Sequence, residues 1–224
     1  MLDWIRDRIG EVDEIDATYV VTNARYAADF EGWAADDDRL HVIDDGTTSN
    51  DDRLGAIGDI RLVIDRARID DDLMVIAGDN LFDYSLRDYV SFWREKGVAS
   101  AVALYRVSDR ELLRQYGVVE LDETARLVSF VEKPQDPPSD LAATATYIYS
   151  REHVPLIAEY VAEGNPPDQP GNLVAWLLHR EPVYGYEFDG EWLDIGNREQ
   201  LLEADNRLRR ERGLPERAEY SLQS

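Results

Sequence analysis

Leu73-Met74-Val75-Ile76-Ala77-Gly78-Asp79-Asn80 is an apolar run that stops at a Gly and an Asp. Residues 73–77 read as a strand, apolar throughout as a strand covered on both faces should be. Asp79 then sits just beyond its carboxyl end, where open α/β sheets place ligands and metals. A second stretch far along the chain, Glu191-Trp192-Leu193-Asp194-Ile195-Gly196, repeats the arrangement. Two such carboxylates can hold a divalent cation between them, and a cation there handles phosphates. Each also has a plainer reading: Asp79 as a turn residue after a strand, and Asp194 as the cap of the next helix. Asn197 fits that cap better.

Working outward, periodicity predicts alternating elements. Helices are expected at residues 2–9, 25–35, 55–67 and 85–96, and strands at 17–21, 40–43, 73–77 and 98–107. This alternation predicts an α/β fold with a doubly wound, mostly parallel sheet. Beyond residue 107 the texture changes. A short helix at 109–114 precedes strands at 117–121 and 127–131, separated by Asp122-Glu123-Thr124. These read as an inserted β-hairpin. A strand at 143–149, helices at 151–163 and 172–179, a strand at 183–188 and a closing helix at 197–212 follow. No internal repeat or long linker divides the chain, so one domain over 1–224 is expected.

Charge is the strongest compositional signal. The 224 residues carry 47 acidic against 24 basic side chains, a net charge of −23, and hydrophobic content of 44% excludes general disorder. Acidic runs recur in short loops, at Asp36-Asp37-Asp38, Asp44-Asp45, Asp51-Asp52 and Asp70-Asp71-Asp72. The lysine-poor acidic balance points to a surface adapted to high intracellular salt, a halophilic trait. Nucleic-acid binding is disfavoured because no basic stripe exists. Cysteine is absent, so no disulfide or thiolate metal site can form, and the three His residues show no ligand spacing. With no membrane-length apolar stretch and no signal-peptide pattern, a soluble, cytoplasmic protein is expected.

Asp45-Gly46-Thr47-Thr48-Ser49-Asn50 leads through Arg53-Leu54 into Gly55-Ala56-Ile57-Gly58. Small residues at a helix start let a ligand approach free N–H groups, although a flexible loop and a tight helix entry explain them too. Tyr116-Gly117-Val118-Val119 and Val131-Glu132-Lys133-Pro134 flank the hairpin. Lys133 is one of two lysines in a chain that otherwise uses Arg. A retained Lys suits a compact point charge facing phosphate; its plainer reading is an ion pair with Glu132. Thr144 and Thr146 can hydrogen-bond a ligand, or are ordinary strand residues.

In this order the motifs resemble the sugar-phosphate nucleotidyltransferases of the glucose-1-phosphate thymidylyltransferase-like group. The carriers are Leu54-Gly55-Ala56, Ala77-Gly78-Asp79-Asn80, Tyr116-Gly117-Val118-Val119, Glu132-Lys133-Pro134, Ala143-Thr144-Ala145-Thr146-Tyr147 and Trp192-Leu193-Asp194-Ile195-Gly196. The resemblance runs from about residue 1 to about residue 210 and implies the nucleotide-diphospho-sugar transferase-like fold. That family joins a nucleoside triphosphate to a sugar 1-phosphate and releases pyrophosphate, within nucleotide-sugar biosynthesis. By resemblance, Gly55 lies against the base, and Asp79 and Asp194 hold Mg²⁺. Gly117 and Glu132 contact the sugar, Lys133 its phosphate, and Thr144 the sugar-phosphate region. Lys133 and Asp79 are then the catalytic residues. The family also favours a homo-oligomer.

One departure is large. The family opens with a strand, a glycine-rich loop of the type GGxGTRL and a Pro-Lys-Pro segment, none of which is in this chain. Topology points the same way, because the chain opens on a helix whereas a βαβ unit begins with a strand. The expectation is therefore a fold without its first strand, N-terminally truncated, with negligible turnover. It is either an enzyme whose start lies upstream or a non-catalytic remnant or regulatory subunit that binds sugar phosphate. A glycosyltransferase is a weaker alternative, since no Asp-X-Asp sits at a strand end.

Overall fold

The structure, a computed structural model, describes residues 1–49, 51–211 and 213–219. Asn50 of the expected 45–50 loop and Arg212 of the expected closing helix lie outside the described residues. In chain order the elements are α1 (Leu2–Ile9), β1 (Thr18–Thr22), α2 (Ala27–Ala34), β2 (Leu40–Asp44), α3 (Ala56–Ala67) and β3 (Leu73–Ile76). Next come β4 (Asn80–Phe82), α4 (Leu86–Arg94), β5 (Ser100–Arg106), α5 (Arg110–Leu113), β6 (Gly117–Leu121), β7 (Leu127–Glu132) and β8 (Leu141–Tyr149). The chain continues through α6 (Val154–Ala162), α7 (Pro170–Leu177), β9 (Val183–Glu187), β10 (Trp192–Asp194) and α8 (Arg198–Glu211).

Strand β8 organises the main sheet. It runs antiparallel to β3, β5 and β6, while β5 and β9 pair in parallel, giving the order β7-β6-β8-β5-β9 with β3 also on β8. The α/β class and the β6–β7 hairpin are as the sequence predicts. The expectation of a mostly parallel sheet needs correction, because the sheet is mixed. The hairpin reverses the chain, so β8 returns against its neighbours instead of crossing over a helix to run with them. β8 serves both β6 and β3 by kinking in its middle: its pairing with β5 shifts between Val102 and Leu104. Ala145 takes up the extra length at φ 53°, a left-handed conformation rare outside glycine.

Alternation along β5 sends Val102 and Leu104 to one face and Ala101 and Ala103 to the other. On the first face Ile57 and Ile60 of α3, Ile157 of α6 and Leu173 and Leu177 of α7 complete a core. On the second, Leu86, Tyr89 and Trp93 of α4 pack with Ile148 and Phe188. Each such side chain contributes roughly 1.5–3 kcal/mol by leaving water. Ser85 starts α4 by accepting the Asp88 N–H at 3.1 Å.

Two smaller pieces complete the fold. β1 and β2 form a parallel pair of their own. Among the described residues neither β1 nor β3 has a second strand neighbour, and both are half-buried along their length. β3 is thus not covered as fully as its apolar sequence predicts. The other piece is the antiparallel β4–β10 ribbon, which the sequence reading did not resolve as a strand pair. Leu81, Ile195 and Ala204 bury between it and α8, with Trp4 of α1 alongside.

Candidate active site

The β4–β10 ribbon brings the two separated Asp motifs together. Asp79 ends the turn after β3. Asp194 ends β10 directly opposite Asn80, the residue after Asp79. The Ile195 N–H donates to the Asp79 carbonyl at 3.0 Å, closing the pair of loops. Asn80 is buried at 3% exposure; its side-chain amide donates to Asp79 Oδ1 at 2.7 Å. The Trp192 indole donates to Asn80 Oδ1 at 2.5 Å, so Asn80 holds Asp79 in one orientation. The Tyr116 ring stands edge-on to Trp192 at 4.8 Å between centroids and completes the support. Asn80 and Trp192 escaped the sequence reading as working parts, although both lie inside its two motifs.

Electrostatics define the character of this pocket. Burial pushes the Asp194 carboxyl up, and the Asp79 charge pushes the same way, while Lys133 opposes them. Burial and the Asp194 charge likewise raise Tyr116. An exposed carboxylate, Asp79, and a half-buried one, Asp194, make a ready pair of ligands for a divalent cation. No group of three or more His, Cys, Asp or Glu capable of holding a metal occurs among the described residues. A two-carboxylate site fits Mg²⁺, which keeps several waters and takes further oxygens from bound phosphate.

Lys133 lies beside this pair. It is exposed, adopts a left-handed φ of 48°, and its N–H donates to the Tyr116 carbonyl at 2.9 Å. Among the described residues its ammonium makes no ion pair, so the simple Glu132–Lys133 bridge does not form. Glu132 ends β7 opposite Gly117, where burial pushes its carboxyl up and Lys133 pulls it down. A Cβ on Gly117 would come within 3.1 Å of Glu132 Oε2, and a Cβ on Gly171 would run into the same oxygen. Glycine at 171 leaves room for that carboxylate, and glycine at 117 leaves room chiefly for the Phe130 ring, which a Cβ there would meet at 2.5 Å. Thr144 sits differently from a ligand contact: it is buried at 1% exposure, and its hydroxyl donates to the Ala103 carbonyl at 3.0 Å. Beside it, Thr146 is fully buried and its hydroxyl oxygen has no partner among the described residues, while the Ala145 carbonyl accepts from the Ala77 N–H at 3.0 Å. The strained kink of β8 therefore braces the turn that carries Asp79.

Gly55 stands at the start of α3 with φ 80°, and a Cβ there would meet the Pro167 backbone at 2.8 Å. The Ile57 N–H donates to the Pro167 carbonyl at 2.8 Å, which fixes α3 against the 166–169 loop that leads into α7. Between them opens a cleft of ≈ 580 Å³ lined by Arg53, Gly55, Asp59, Asp168, Gln169 and Asn172, among others. Gly171, which closes on Glu132, lies between the last two of these residues, so the cleft adjoins the Glu132 side of the site. Asp59 escaped the sequence reading. Among the described residues its Oδ1 is buried without a hydrogen-bond partner, and burial together with the Asp45 charge pushes its carboxyl up to about 6.

Comparison with known proteins adds the following. The nucleotidyl transferase family profile matches residues 5–211. A UTP–glucose-1-phosphate uridylyltransferase of Synechocystis sp. is 33% identical over 147 residues, 64% of this chain and 37% of that protein. A glucose-1-phosphate adenylyltransferase of Clostridium acetobutylicum is 27% identical over 136 residues, 59% of this chain and 36% of that protein. This chain thus spans little more than a third of the length of these relatives. A Bacillus anthracis structure described as a glucose-1-phosphate thymidylyltransferase in complex with sucrose superposes with a TM-score of 0.71. That match is 22% identical and covers 91% of this chain and 80% of the other, which shows the shared α/β fold.

Proposed function

This chain belongs to the nucleotidyl transferase family, and from that premise we propose that it joins a nucleoside triphosphate to a sugar 1-phosphate, releasing pyrophosphate. The observation that carries the reading is the apposition of Asp79 and Asp194 beside Lys133, an ammonium with no ion-pair partner among the described residues. In this assignment Asp79 and Asp194 hold Mg²⁺, which neutralises charge on the transferring phosphoryl group. Lys133 binds the phosphate of the sugar 1-phosphate and orients its oxygen for in-line attack on the α-phosphorus. Glu132 accepts hydrogen bonds from sugar hydroxyls, and the glycine at 171 leaves its carboxylate room. Gly55 and its cleft take the nucleoside. Asn80 positions Asp79 and touches no substrate.

A second reading has one observation in its favour. Among the described residues, Lys133 is the only cation whose charge is felt at Asp194. One ammonium is little compensation for a triphosphate, since each well-placed donor is worth about 3 kcal/mol in a transition state. On this reading the chain binds sugar phosphate without transferring a nucleotide. Pyrophosphate release, measured with each of four nucleoside triphosphates, glucose 1-phosphate and Mg²⁺, separates the two. Turnover that Asp194→Ala abolishes supports transfer. Saturable glucose 1-phosphate binding with no release above the Asp194→Ala background supports the binding subunit. Neither binding nor turnover would sink both.

A further inference from the structure

Three consecutive residues at the kink of β8 are each tied to a different element. The Thr144 hydroxyl donates to the Ala103 carbonyl of β5 at 3.0 Å. The Ala145 carbonyl accepts the Ala77 N–H at 3.0 Å, from the turn that follows β3. The Thr146 carbonyl accepts the Tyr89 hydroxyl of α4 at 3.3 Å. Tyr89, Thr144 and Thr146 are all buried. Burial pushes the Tyr89 hydroxyl well above its ordinary range, so it remains a donor. Ala145 between them holds a left-handed φ of 53°. An L residue keeps such a conformation only where its surroundings over-determine it. Here the hydroxyl bonds on either side of Ala145 supply that constraint.

Resting on the proposed metal site, the geometry points to Tyr89 as a positioning residue for Asp79, acting through the β8 kink. Ala77 is the base of the turn that carries Asp79. Its N–H is engaged by Ala145, and its carbonyl accepts the Asn80 N–H at 3.3 Å. Moving the Ala145 carbonyl therefore moves the base of that turn, and Asp79 with it. Tyr89 touches no ligand in this assignment. Its ring is held independently, stacked on Tyr186 at 5.1 Å between centroids and edge-on to Tyr84 at 6.4 Å. Core packing needs only that ring. A hydroxyl buried there costs free energy unless it is bonded, and its bond goes to the kink.

Two readouts on the full chain test this, and one needs no metal. Tyr89→Phe keeps the ring and removes the bond. It should raise the Kd for Mn²⁺, followed by electron paramagnetic resonance, about fivefold, as for a residue that reaches a site through packed neighbours. In metal-free protein the Ala77 amide should exchange with deuterium about fivefold faster by nuclear magnetic resonance. The Ile57 amide, bonded to the Pro167 carbonyl, should keep its wild-type rate. Adding Ala145→Gly should rescue both readouts, since glycine takes that φ unaided. Tyr149→Phe is the control. It removes a buried hydroxyl of β8 that has no partner among the described residues, and should change neither readout. Melting curves confirm that each variant is folded. Unchanged Mn²⁺ binding in Tyr89→Phe overturns the inference, and so does weaker binding without faster Ala77 exchange. An equal change in Tyr149→Phe, or no rescue by Ala145→Gly, also overturns it and leaves Tyr89 a core residue. A wild-type chain that binds no Mn²⁺, or binds it equally after Asp79→Asn, sinks the metal site and this inference with it.

Discussion

The N–H of Ile195 donates to the carbonyl of Asp79 at 3.0 Å, so the loop that carries Asp194 is stitched to the one that carries Asp79. A main-chain bond holds the two carboxylates near each other against their own repulsion. The fold stores that repulsion, and a bound cation releases it.

This sets a trade between stability and binding at Asp194. Its carboxyl titrates above the ordinary range in the folded chain, so the folded state holds the proton more tightly than the unfolded one. The ionised group therefore costs stability above that range, and the cost vanishes as pH falls below the unfolded value. Asp194→Asn should raise the melting temperature at pH 7.5 and weaken Mn²⁺ binding, followed by electron paramagnetic resonance, by tenfold or more. A variant that melts lower and binds the metal as well as wild type would remove Asp194 from the site.

Lys133 should separate function from backbone strain. Its φ of 48° is free for glycine and costs other residues on the order of 1 kcal/mol. Lys133→Gly should be more stable than Lys133→Ala by about that amount in urea unfolding. Both should lose glucose 1-phosphate binding by tenfold or more, because each removes the ammonium. Retained binding in either variant would rule out Lys133 as the phosphate contact.

Two titrations, of half-buried Asp59 and buried His153, oppose each other in pH. Asp59 titrates at about 6 in the folded chain, against 3.8 for an unperturbed carboxyl. Its contribution favours the fold at low pH and becomes a penalty as pH rises towards 6 and beyond. After allowing for solvent screening, that penalty is on the order of 1 kcal/mol. Asp59→Asn should thus stabilise at pH 7.5 and lose that advantage near pH 4. His153 is buried, with Nδ1 at 2.9 Å from Ser100 Oγ and Nε2 at 3.5 Å from Glu181 Oε2. Burial lowers its pKa despite the Glu181 and Glu152 charges. Its contribution is therefore present above 6.5, the ordinary value, and is lost as pH falls below it. His153→Gln should flatten that acid limb of the melting profile, while Asp59→Asn should not.

Net charge of −23 predicts a fold that needs screening. Raising KCl from roughly 0.1 to 2 M should raise the melting temperature by about 5 °C or more. A melting temperature flat in KCl would mean that the acidic surface carries no adaptation to salt.

Most of these residues could be found by reading along the chain, because their signals are local. An apolar run ending at Gly78-Asp79, Lys133 as one of two lysines among arginines and a glycine at the mouth of α3 are all legible along the chain. The mixed sense of the sheet did not show, since strand direction depends on how the β6–β7 hairpin returns β8 to the core. Strands β4 and β10 are three residues each, too short for a period of two to register. Thr144 looked available, yet burial in β8 engages its hydroxyl with Ala103. Asp59 has no local signal to set it apart from the other acids of an acidic chain.

The sequence by itself determined the inventory: the α/β alternation, the order of the motifs and the chemistry each residue can offer. Those follow from apolar periodicity and residue type, which are properties of short segments. Only the tertiary structure decided which residues meet. It paired β4 with β10 and so joined Asp79 to Asp194. It packed Gly171 against Glu132, and it closed the 166–169 loop over α3, leaving Asp59 Oδ1 buried without a hydrogen-bond partner among the described residues. Contacts between residues far apart in the chain arise from packing the whole core at once, and no short window of sequence encodes them.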